Sequence, residues 1–76
     1  MIEKINGYFV ITTNNPRVLE LTSRWMYYTI RREFLIEIEE FSDTMLYRIL
    51  IPANSGFDAQ EFEDYYLKGS NVTLMI

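Results

Sequence analysis

Apolar positions along the chain alternate between a strand-like period of two and a helical period near 3.6. Tyr8-Phe9-Val10-Ile11 is a run of strand formers. Asn6-Gly7 before it is a hairpin signal, because both positions tolerate positive φ. A turn there pairs Ile5 with Tyr8 and Ile2 with Ile11. Residues 2–5 then either add a short strand or lead into the first one. Asn15-Pro16 predicts a helix start, with Asn15 as N-cap and Pro16 at the first helical position. Val18, Leu19, Leu21, Trp25, Met26 and Ile30 share one broad arc of that helix. Arg17, Glu20, Arg24 and Arg31 share the opposite arc, with Glu20 four residues before Arg24. Arg32 would turn into the buried arc, so the helix is expected to end near residue 31. Basic residues there complement its dipole.

Residues 34–41 return to period two, with Phe34, Ile36 and Ile38 on one face and Leu35, Glu37, Glu39 and Phe41 on the other. Residues 45–51 follow as a strand with Tyr47, Ile49 and Ile51 on one face. A two-residue turn at Ser42-Asp43 sets Ile36 opposite Ile49, Ile38 opposite Tyr47 and Glu37 opposite Arg48. Both apolar faces then align and an ion pair falls into place. Pro52 to Gly56 reads as a loop. Asp58 with Glu61 forms a capping box, and Phe57 with Phe62 a hydrophobic staple, predicting a second helix. Ala59, Phe62, Tyr65 and Tyr66 form its expected core face, and Gly69 its terminator. Residues 72–76 predict a last strand.

The resulting order, strand-helix-strand-strand-helix-strand, resembles the split βαβ pattern of ferredoxin-like domains. That resemblance of pattern implies an α+β fold: a four-stranded antiparallel sheet, two helices on one face, and the other face open. The first strand would lie between the third and the last. Phe34, Ile36, Ile38, Tyr47, Ile49 and Ile51 are expected beneath the helices. Leu35, Phe41, Leu46 and Leu50 then lie on the open face, an apolar area of the kind that marks an interface. The N-terminal strand, a second copy or a foreign partner would cover it. A homodimer through the open face or an edge strand is one expectation.

Length and composition narrow the function. Seventy-six residues make one domain, residues 1–76. A chain 49% hydrophobic and 16% aromatic is not a disordered tail. No apolar run is long enough for a membrane-spanning helix. Glu3, Lys4 and Asn6 stand where a secretion signal needs apolar residues. The expected location is the cytoplasm, that of the host if the chain is viral. The chain has no Cys and no His. Thiolate chemistry, disulfides and the commonest general base are excluded. No Ser has a His to activate it, the phosphate-binding loop pattern is absent, and so small a chain leaves little for a glycosidase cleft. Glu37 and Glu39 share a strand face and are the one place a divalent cation would find oxygen ligands. The plain reading of that pair is a solvated face. No catalytic residue, metal or cofactor is expected, and the chain reads as a non-enzyme.

Charge adds a direction. Residues 1–32 carry five bases and two acids, whereas residues 33–76 carry two bases and nine acids, for a net charge of −4. Nucleic-acid binding needs the opposite balance. RNA-recognition domains share this topology and stack bases on strand aromatics, for which Tyr8, Phe9 and Tyr47 are the candidates. The third strand lacks the aromatic signature of those modules, so an RNA binder is the weaker alternative. The stronger expectation is a protein-binding module that meets a basic surface. Its candidate contacts are Glu37, Glu39, Glu40 and Asp43, with Glu61, Asp64 and Tyr65. The natural basic target is a nucleic-acid-binding groove, where carboxylates stand in for phosphates. In size and acidity the chain is similar to small phage-encoded inhibitors of host defence such as anti-CRISPR proteins. No motif carries that likeness. In the expected topology the two acidic clusters lie on opposite faces and can meet only at an edge.

Overall fold

The computed structural model describes residues 2–76. Four strands form one antiparallel sheet in the order β1-β2-β4-β3: β1 (Ile2–Ile5), β2 (Tyr8–Thr13), β3 (Leu35–Glu40) and β4 (Met45–Pro52). Two helical segments complete the α+β fold. Helix α1 (Pro16–Trp25) continues as a π-helical stretch (Met26–Ile30), and α2 (Ala59–Glu61) as another (Phe62–Lys68). The class matches the ferredoxin-like expectation. One strand is different.

Residues 72–76 form no strand. The Asn6-Gly7 turn closes with both residues at positive φ, 50° and 82°. It sets Ile5 against Tyr8 and Ile2 against Ile11. β1 thereby takes the edge beside β2 where the last strand was expected. The C-terminal residues instead run past the start of α1, held by side chains. Thr13 donates to the carbonyl of Leu74. Asn15 donates to that of Thr73 at 2.9 Å, and Ile76 donates to Asn14 at 2.8 Å. Val72 and Leu74 still pack against the core.

The β3–β4 register is the one the turn predicts, with Ile36 opposite Ile49, Glu37 opposite Arg48 and Ile38 opposite Tyr47. Phe41 and Thr44 exchange backbone hydrogen bonds across Ser42-Asp43. Strand β3 begins only at Leu35. Pro52 points its backbone at that edge and has no N–H to extend the ladder.

Asn15 caps α1 by accepting from Arg17 N at 3.0 Å. Glu20 pairs with Arg24 at 2.8 Å and with Arg17 at 2.9 Å. Those partners, the Arg17 hydrogen bond first, hold the Glu20 carboxyl below its ordinary pKa. The helical path ends at Arg31, where the sequence predicts an end, and Arg31 turns left-handed (φ 59°). Asp58 caps α2 by accepting from the amides of Gln60 and Glu61. At the far end the left-handed residue is Asn71 rather than Gly69. Gly69 is required for space instead: a Cβ there would lie 2.3 Å from the carbonyl oxygen of Tyr65.

The core joins Ile11, Ile49 and Ile51 of the sheet to Val18, Met26, Phe57, Phe62 and Leu67. A chain of rings links it, from Phe9 to Phe57 (5.7 Å), Phe62 (5.3 Å), Tyr66 (5.7 Å) and Trp25 (4.2 Å). Burial of Tyr66 pushes its hydroxyl pKa up. Tyr65, expected in the core face, is 73% exposed. It lies one residue from Tyr66 and points away from that ring chain.

The largest departure is β3. Every one of its residues is exposed, including Ile36 (42%) and Ile38 (55%), which were expected beneath the helices. The core sits over β2 and β4, and β3 is the outer edge beyond its cover. Among the described residues no helix is long and apolar enough to cross a membrane.

Candidate functional site

Strand alternation and register divide the predicted contacts between two faces. Val10, Leu50 and Leu35 lie opposite one another across β2, β4 and β3. They share the open face with Tyr8, Leu46, Arg48, Glu37 and Glu39. Phe9, Ile11, Ile49 and Ile51 face the helices. Glu40 lies on that helix side of the sheet, and Asp43 in the hairpin turn. Glu61, Asp64 and Tyr65 are on the solvent side of the second helical segment, whose Phe62 and Leu67 are buried against the sheet. The structure therefore brings Glu37 and Glu39 together and separates them from Glu61, Asp64 and Tyr65.

The open face is not uniformly acidic. Arg48 was expected to pair with Glu37 directly opposite, but it reaches diagonally to Glu39. That hydrogen bond, and secondarily the charges of Glu39 and Glu37, raise the Arg48 pKa above its ordinary value. Glu37 has no salt-bridge partner among the described residues. On the other side, Asp64 is held below its ordinary pKa by the Gln60 amide first and Lys68 second.

At one end of this face lies a feature absent from the sequence reading. A groove of about 530 Å³ is lined by Tyr8, Leu50 and Pro52 of the sheet, Leu35 at the start of β3, and Tyr27, Arg32, Glu33 and Phe34. Arg31 causes it. Its left-handed turn ends the helix and sends residues 32–34 back to the sheet without regular pairing. Tyr27 is 74% exposed at the mouth, edge-on to Tyr28. The lining is mostly aromatic and aliphatic, with one guanidinium and one carboxylate at the rim. Such a composition receives apolar side chains and orients them by a few polar contacts. No local motif announces the groove, because three separated segments build it. The one sequence signal was the break in helical period at residues 31–34.

The other candidates are dispersed. Tyr8 is on the open face, while Phe9 stacks into the core and Tyr47 lies on the helix side beside Met45. The three do not form one stacking platform. Tyr27 and Tyr28 are surface residues. Among the described residues, no three acidic side chains converge as a metal site would require. No family model, curated protein or solved structure matches this chain, so its geometry is the ground for a functional reading.

Proposed function

We propose that this chain is a non-catalytic protein-binding module that docks the open face of its sheet on a basic surface of a partner. The observation that carries the proposal is an apolar groove at one end of a sheet face that also carries Glu37 and Glu39. The groove supplies a desolvated pocket for an anchor side chain, which is where binding energy concentrates. Glu3, Glu33, Glu37 and Glu39 outnumber Arg48 on that face, with Arg32 in the groove lining, which favours a cationic partner and fast association. A nucleic-acid-binding groove is the basic target this charge fits best, with Glu37 and Glu39 standing in for phosphates. The chain would then act as an inhibitor, as phage-encoded anti-defence proteins do.

The test is capture of partners from host lysate by the tagged protein at low and high salt. The expected result is a basic, nucleic-acid-handling protein whose capture weakens with salt. Reversal at Glu37 and Glu39 (Glu37→Lys, Glu39→Lys) is expected to abolish capture. Reversal at Glu61 and Asp64, on the other side, is expected to leave it. Intact binding by a folded Glu37→Lys, Glu39→Lys variant would overturn the proposal.

A further inference from the structure

The two edges of the sheet are unlike each other. Backbone pairing alternates along a strand, so each residue of an edge strand points its N–H and C=O either inward or outward. Phe41 and Thr44 bond to each other. Counting back along the register, Glu39, Glu37 and Leu35 point their backbone at β4. Ile36, Ile38 and Glu40 point theirs outward. Ala53 N, which bonds Gly7 O at 2.9 Å, fixes the opposite side of β4 and gives the same parity. At the other edge, β1 is four residues long and points Ile2 and Lys4 outward, a short edge blunted by a charge. β3 is longer, and its outward residues include two β-branched isoleucines.

We infer that β3 pairs antiparallel with β3 of a second copy, about a two-fold axis at Ile36, joining two sheets into one of eight strands. The inference goes beyond the docking proposal, because edge-to-edge pairing leaves the open face free. The register follows from comparing the pairs that each axis makes. Outward residues must face outward residues, which leaves two-fold axes centred on a residue. An axis at Glu37 sets Glu37 against itself. One at Ile38 sets Glu37 against Glu39 twice and Ile36 against Glu40. One at Glu39 sets Glu39 against itself. An axis at Leu35 sets Glu33 against Glu37 and draws the left-handed Arg31 into the ladder.

The axis at Ile36 sets Ile36 against Ile36 and Phe34 against Ile38, all on the helix side where Ile36 and Ile38 are exposed. It sets Leu35 against Glu37. Residues 32–34 carry no strand pairing in the single chain; drawn into the ladder of the dimer, they set Arg32 against Glu40 at both ends, opposite charges directly across the strands. Glu33 falls opposite Glu39 twice, the like-charge pair that this register carries, with Arg48 held to Glu39 in each chain. The isoleucines uncovered in one chain are covered in two, which supplies the driving force.

Sedimentation equilibrium tests this. The wild type is expected to dimerise with little dependence on salt. Ile36→Lys places two ammonium groups at the axis and is expected to leave a folded monomer, its fold checked by circular dichroism. Arg32→Glu or Glu40→Arg alone is expected to weaken the dimer about tenfold, and the two together to restore it. A wild type that remains monomeric at about 1 mM overturns the inference, since even a millimolar constant would show there. A dimer that survives Ile36→Lys overturns it too. Failure of the charge swap to restore the dimer overturns the register. Partner capture is scored separately, so failure of the docking proposal leaves these outcomes unchanged.

Discussion

Ile36 and Ile49 sit directly opposite each other in the β3–β4 ladder, yet Ile49 is fully buried and Ile36 is 42% exposed. The same residue type, in the same kind of strand and pointing to the same side of the sheet, has two roles. Around Ile49 the helices close over β2 and β4 with Phe62, Met26 and Val18. Around Ile36 they do not reach. The pair shows that period-two alternation tells which way a side chain points. Whether anything lies there to meet it is decided by the placement of the helices. The centre of the sheet carries stability, and the β3 side carries surface.

That division can be broken first where the effect is largest. Phe62 links Phe57 to Tyr66 at the middle of the ring chain. Phe62→Ala is expected to cost about 3–5 kcal/mol, read from the denaturant midpoint. For a domain this small, that is enough to unfold much of the population. Ile49→Ala should cost about 2–4 kcal/mol, whereas Ile36→Ala should cost under about 1 kcal/mol in the monomer. Equal costs would remove the distinction between centre and edge. Gly7→Ala comes next. Gly7 has φ 82°, and a Cβ there meets no atom, so the cost is backbone strain alone, about 1 kcal/mol. It should appear as faster amide exchange in β1 with β3 unaffected.

How much of this was legible in the sequence differs by region for the same reason. Asn6-Gly7, Asn15-Pro16, Ser42-Asp43 and Asp58 act through local backbone chemistry, and each forms the turn or cap that its residues predict. The β3–β4 register was legible because one apolar alignment is better than a slip by one residue. Competition between distant segments was not legible. Residues 72–76 read as a strand in isolation, but β1 reaches the same edge through a two-residue turn. The π-helical stretches were hidden because over five to seven residues a wider turn leaves nearly the same apolar pattern. The acidic residues were legible as residues, and their separation onto two faces followed from the expected topology. The groove beside Glu37 was not, because it depends on the path of residues 31–34.

The smallest expected effect is that of pH. The carboxyls of Glu20 and Asp64 lie below their ordinary pKa in the folded chain. Their contribution is therefore complete above the unfolded carboxylate range, near about pH 4, and is lost as pH falls through the lower folded values. Tyr66 lies above its ordinary value. Its contribution is complete below about pH 10 and is lost as pH rises through the raised value. A melting midpoint flat from about pH 5 to about pH 9, with modest loss outside, is expected from these groups.

Amide hydrogen exchange, resolved by residue in dilute solution, tests the division most directly. The account predicts an alternating pattern in β3: Leu35, Glu37 and Glu39 protected by β4, and Ile36, Ile38 and Glu40 exchanging freely. Amides along the β2–β4 ladder should be protected up to global unfolding. Raising the protein concentration should slow the three free amides. Uniform protection across residues 35–40 in dilute solution would contradict the account, because something else in the chain would then cover the edge.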